Sequence, residues 1–205
     1  MSSGYRSVQE QKTLCLCLVL LLLAGIGIVS AHAPLGVASN EDIANATLIT
    51  NPEKSFVLYT ELHDGGEAQY YHFPMQRGQK LYGSIQVPGE SSMVPDIVII
   101  GPGIAPSGNV PSFVEIPAGS GAMVIPGKAP GKPSYEPFSP QPIYEAGRFN
   151  VTVPVDGDYY IAVYGPTGGK YSLAPGFLEE FTTSEWLLIP FSVITIHLWE
   201  GQSPW

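Results

Sequence analysis

The chain has 205 residues, room for one ordinary domain with appendages but not for a second catalytic domain. Apolar residues make up 44% and charged residues 13%, which excludes a disordered polyampholyte or a coiled coil, and 23 glycines with 20 prolines favour short strands joined by turns. Nine basic residues against 18 acidic ones give a net charge of −9, the wrong sign for neutralising phosphates, so DNA and RNA are excluded as partners.

Arg6 and Lys12 precede an unbroken apolar run from Leu14 to Val29, the pattern of a secretory n-region and h-region. Val29-Ser30-Ala31 fits the small-x-small cleavage rule, which makes residues 1–31 a signal peptide and His32 the mature amino terminus. The competing reading is a retained signal anchor, because 16 apolar residues with Ser30 and Ala31 form a transmembrane helix of about 27 Å. Both readings make the rest of the chain extracytoplasmic, either secreted or displayed at the cell surface. Cys15 and Cys17 lie inside the apolar run, so the mature chain has no cysteine to bridge. Residues 32–54 read as a linker. It contains the glycosylation sequon at Asn45, and a second sequon stands at Asn150.

From 55 to 176 the pattern is strand-like, with apolar and polar residues alternating between turn signals. Ser55 to Leu62 ends in Asp64-Gly65-Gly66, and Ala68 to Phe73 is expected to pair back across that turn as a hairpin. Leu81 to Val87 follows, then Asp96 to Ile100, apolar enough for a central strand. Between Gly101 and Pro142 stand ten prolines and seven glycines, which predict a long loop with edge strands at Phe113–Ile116 and Ala122–Ile125. Val151 to Val155 leads to Asp156-Gly157, a further hairpin signal, then to strands at 158–164 and 170–174. Strands at this spacing predict an all-β sandwich or barrel.

Gly66-Glu67-Ala68-Gln69-Tyr70-Tyr71-His72-Phe73, Arg77-Gly78-Gln79-Lys80-Leu81, Pro95-Asp96-Ile97-Val98-Ile99 and Asp156-Gly157-Asp158-Tyr159-Tyr160-Ile161-Ala162-Val163 occur in that order. In these residues the chain resembles the bacterial pre-peptidase C-terminal domains over about 55–176, with a longer proline-rich insertion. The resemblance implies a jelly-roll-like antiparallel β-sandwich acting as a non-catalytic secreted module, in a family linked with calcium or polymer binding. In overall style the chain also resembles uncharacterised cell-surface proteins of archaea.

The last segment, 177–205, has the capping-box spacing at Thr182 and Glu185, followed by 14 residues without a full charge from Trp186 to Trp199. That stretch is too short to span a bilayer and suits an interface-lying or packed segment. Trp186, Trp199 and Trp205 are the only tryptophans, and tryptophan favours the membrane-water boundary.

No nucleophile elbow, H-E-x-x-H, C-x-x-C or phosphate loop is present. His63 and His72 flank one predicted turn and are candidate metal ligands. His32, once terminal, can chelate copper through its amine and ring, an arrangement resembling copper-dependent polysaccharide oxidases. Asp96, Asp156 and Asp158 stand at strand ends where calcium could be held, although Asp-Gly-Asp is also plain turn chemistry. Tyrosines at 59, 70, 71, 82, 159, 160, 164 and 171 offer a sugar-stacking platform if they face water. The expectation is a non-enzymatic, membrane-associated β-sandwich that binds a polymer or protein partner or gives structural support. No cofactor is required by it. The alternatives are an extracytoplasmic copper or other metal-binding protein built on His32, and a hydrolase whose carboxylates carry no motif.

Overall fold

The structure, a computed structural model, describes residues 32–89, 91, 93–129, 131–135 and 138–203. The expected signal segment, with Cys15 and Cys17, and the expected interfacial Trp205 lie outside the described residues. Among the described residues the fold is mostly β, two sheets face to face with one α-helix laid on the outside. One sheet runs in the order β1 (Ala33–Pro34), β3 (Phe56–Leu62), β11 (Gly169–Pro175), β5 (Lys80–Pro88), β9 (Ile143–Thr152), β8 (Pro133–Ser134). The other runs β2 (Thr47–Leu48), β4 (Ala68–Met75), β10 (Gly157–Tyr164), β6 (Asp96–Pro102), β7 (Ser120–Ile125). Among the described residues all long ladders are antiparallel, and parallel pairing is confined to the two-residue edge strands β1 and β2 and to the isolated bridges Lys54–Leu178 and Ser107–Met123.

Period-two alternation places Leu58, Leu81, Ile85, Phe149, Tyr171 and Leu173 on the inner face of the first sheet, and Tyr71, Phe73, Ile97, Ile99, Tyr159 and Ile161 on that of the second. These residues form one buried core between the layers. Asp96 to Ile100 is central as expected, and its unbroken apolar run has a cause. Ile97 and Ile99 enter the core, while Val98 and Ile100 point outward into a second cluster with Ala68, Tyr70, Ala162 and Val114. The proline-rich segment covers that outer face. Phe113–Ile116 leaves a turn as irregular chain and is not the predicted edge strand, and it contributes by burying Val114. Ala122–Ile125 falls within β7 as expected. Four of the eight tyrosines offered as a wet platform, Tyr70, Tyr71, Tyr159 and Tyr171, are fully buried.

The expected hairpins are corrected. β3 and β4 lie in different sheets, as do β9 and β10, so the turns at Asp64-Gly65-Gly66 and Asp156-Gly157 arch from one layer to the other. β9 begins eight residues before the predicted Val151, and residues 153–156 are its exit turn. The reason is a bulge between Ile85 and Gln86 in its pairing with β5, which buries Ala146 and Gly147 consecutively and breaks the alternation. The segment read as a linker also supplies structure: Ala33, Asn40 and Ile49 are buried.

Phe149 sits at 1% exposure between the layers, whereas Leu48 is half exposed on an edge strand. Phe149→Ala is expected to cost about 3–5 kcal/mol and Leu48→Ala less than about 0.5 kcal/mol, compared by urea unfolding followed by circular dichroism.

Candidate functional site

After β11 the chain turns at Gly176, whose φ is +85° and whose missing Cβ would stand 2.0 Å from the Lys54 carbonyl oxygen, so only glycine fits. Phe177 and Leu178 then donate their amides to the Glu53 carbonyl at 2.9 and 2.8 Å, and Ser55 donates to Leu178 at 2.9 Å. This pairing sets the entry to α1 (Thr183–Trp199). The expected capping box is present: Thr182 accepts from the Glu185 amide, and Glu185 accepts from the Thr182 amide. The helix ends in a Schellman motif, with Gln202 donating to His197 at 2.8 Å and Gly201 to Leu198 at 3.0 Å.

Two anchors hold α1 on the first sheet. At its start, Lys54 Nζ donates to both Glu185 oxygens at 2.6 and 2.7 Å, with both side chains largely buried. Burial pushes the Glu185 carboxyl up, but the hydrogen bonds from Lys54 and Thr182 outweigh it and hold the group below its ordinary value. At its end, the Trp199 ring meets Tyr59 edge-on at 5.2 Å, Lys170 lies 5.9 Å over Trp199, and Ser139 donates to Glu200 at 2.6 Å. Glu200 is nearly enclosed, and burial raises its carboxyl above the usual range. Between the anchors Ile189, Val193 and Ile196 pack with Phe138 and Tyr59.

Most of the remaining surface of the helix is also apolar. Trp186, Leu187, Leu188, Phe191, Ile194 and Leu198 are each between 37% and 72% exposed. Beside them a groove of about 420 Å³ runs between α1 and residues 34–37, and none of its lining residues is charged. Of the tryptophans expected at an interface, Trp186 faces outward against Phe181, while Trp199 is half-buried against the sheet. Among the described residues no helix is long and apolar enough to cross a membrane.

The predicted metal residues are dispersed. His32 contacts Ser55 beside the start of β3, and His63 lies beyond the other end of that strand. His72 is in the opposite sheet, stacked on Tyr160 and 2.7 Å from Asp158. His63 and His72 therefore do not face each other, because the turn between them is an arch. Asp96 accepts from Gly127 at 2.7 Å, and burial together with that carboxylate pushes the Tyr164 hydroxyl up to about 12. Asp156 accepts from the Arg77 amide. Asp96 pairs with Tyr164, six residues along β10 from Asp158, so about 20 Å separates it from the other two candidate calcium ligands. Asn45 and Asn150 are both exposed, as glycosylation requires. No family model and no curated protein matches the chain, and the likeness to pre-peptidase C-terminal domains rests on the quoted residues alone.

Because Glu185 is held below its unfolded value, its stabilisation is present above the ordinary carboxylate range and lost as the pH falls through the folded value. Glu185→Gln keeps a capping-box residue but not the charge. It is expected to cost about 1–2 kcal/mol at pH 7, with the deficit against the parent chain vanishing on acidification below that range, measured by denaturant unfolding across pH.

Proposed function

We propose that this chain is a non-enzymatic, extracytoplasmic β-sandwich held at a membrane surface, where it binds a partner or gives structural support. The observation that carries the reading is the outward face of α1, six exposed apolar side chains on a helix fixed rigidly to the sheet. Apolar surface of this extent is costly to leave in water and is the mark of an interaction site. With only Glu185 and His197 as titratable residues on a 17-residue helix, the face matches a lipid interface better than a charged partner. The apolar run from Leu14 to Val29 supports the same location, as signal peptide or anchor, and the two exposed sequons suit an exported surface.

The finer reading of the fold as jelly-roll-like is supported by strand order. Of the eight long strands among the described residues, numbered in chain order, the first, eighth, third and sixth are neighbours in one sheet, and the second, seventh, fourth and fifth in the other.

Membrane contact is tested in the full chain with vesicles of phosphatidylcholine carrying brominated acyl chains, which quench tryptophan at short range. The Trp186 signal, isolated by comparison with Trp186→Phe, is expected to lose most of its intensity. Leu187→Glu with Phe191→Glu is expected to weaken the association of α1 with lipid by at least about a hundredfold while circular dichroism stays unchanged. A Trp186 signal that brominated lipid leaves unquenched overturns the reading.

A further inference from the structure

We propose that Glu41, His63 and Glu67 form a binding site for a divalent transition-series cation, with Zn²⁺ as the representative ion. Two segments supply the three: Glu41 precedes the short 3₁₀ turn at Ile43–Asn45, while His63 and Glu67 stand four residues apart in the turn between β3 and β4. One ligand atom from each lies within 4.8 Å of the others. His63 Nδ1 and Glu67 Oε2 are 3.1 Å apart, close to the roughly 3.3–3.5 Å that adjacent ligands of a tetrahedral ion keep at bond lengths of about 2.0–2.1 Å. Three protein ligands leave a fourth position for water or substrate.

The electrostatics point independently to a cation. The Glu67 side chain is only 12% exposed, yet no lysine or arginine among the described residues pairs with it. It accepts from the His63 backbone amide at 2.7 Å and from the Gln69 amide at 2.9 Å, beside the His63 ring. Glu185, a largely buried carboxylate in the first turn of α1, has Lys54. The His63 ring can offset the Glu67 charge only by carrying a proton, and Glu41 brings a second negative charge to the same point. A bound dication offsets both.

Glu67 is also oriented from behind. Gln69, buried at 3% exposure, donates to Glu67 while accepting from Tyr171 at 2.7 Å and Thr60 at 3.1 Å, so the carboxylate is held as the outer partners of metal ligands usually hold them. The donor set decides the ion. One imidazole with two carboxylates favours zinc and its neighbours, whereas calcium and magnesium take oxygen sets with more ligands. The site uses His63 without His32 or His72.

The test uses the full chain in detergent, without a histidine tag and stripped by chelator, titrated with ZnCl₂ by isothermal calorimetry and followed by thermal unfolding. One Zn²⁺ per chain is expected, with a raised unfolding midpoint that equal CaCl₂ or MgCl₂ does not reproduce. His63→Ala, exposed and outside the core, is expected to fold normally and bind Zn²⁺ at least about tenfold more weakly, and Glu41→Gln likewise. Co²⁺ substitution should give the visible bands of a tetrahedral site and lose them in His63→Ala. Absence of stoichiometric Zn²⁺ binding, or binding that His63→Ala leaves unchanged, overturns the proposal. Neither result bears on the contact between α1 and lipid.

Discussion

The hydrogen bond between the Tyr71 and Tyr171 hydroxyls, 2.7 Å across the middle of the sandwich, fixes how the two sheets meet. Tyr71 belongs to β4 and Tyr171 to β11, strands of opposite layers, and both side chains are fully buried. Two phenols enclosed in an apolar core are tolerable only if each hydroxyl is paired, since an orphaned one costs about 1–3 kcal/mol. Tyr171 donates onward to Gln69, leaving Tyr71 to donate to Tyr171. Gln69 then uses both amide hydrogens, on the Glu61 carbonyl and on Glu67. The chain of donors therefore has one direction and one register. Sliding β11 against β4 would break it, so the network selects a single layer alignment where aliphatic contacts alone would permit several. Burial pushes both hydroxyls far above the usual tyrosine range, which keeps them protonated donors at every physiological pH.

Much of this architecture is legible in the sequence because local chemistry carries it. The strands at 96–102, 157–164 and 169–175 announce themselves by alternation or by an apolar run, and the helix start by Thr182 and Glu185. Strand partners are another matter. Asp64-Gly65-Gly66 specifies a tight reversal, but a hairpin within one sheet and an arch between two sheets use the same permissive residues, and only burial on both sides of the turn separates them. β9 was hidden because its bulge places Ala146 and Gly147 in consecutive buried positions, which period-two reading cannot register. Tyr70, Tyr71, Tyr159 and Tyr171 could by type line either face of a strand, and their burial is tolerated because each hydroxyl finds a partner.

The same distinction governs the sites. Asp156 and Asp158 are neighbours in sequence, and the fold gives them to separate tasks, the Arg77 amide and His72. His63 and Glu67 stand four apart in one turn, but Glu41 lies in the segment that reads as a linker, and no spacing ties it to them. Arching the chain from β3 to β4 brings His63 beside Glu67, and the pairing of Asn40 with Tyr70 carries the preceding segment to the same end of the sandwich. Metal spacing rules describe ligands on one helix or one knuckle, and they have no purchase on a set gathered by an arch and a packed strap.

The outer faces of the two sheets are closed by different means, and the difference leads to the surface of the molecule. The second sheet is covered by the proline-rich segment, which buries Val114 and offers polar, turn-rich backbone to solvent. The first is covered by α1, and a helix that covers a sheet normally turns a polar face to water. α1 does not: Ile189, Val193 and Ile196 satisfy the sheet, while Leu187, Leu188 and Phe191 repeat the same chemistry on the far side. Pro190 deepens the anomaly, because an interior proline forfeits a backbone hydrogen bond that a better helix former would keep. The Lys54 ion pair and the Trp199 packing hold both ends of this helix in place, so it cannot rotate to hide its second apolar face. A fixed helix with two apolar sides needs two apolar neighbours, and the sandwich provides only one of them.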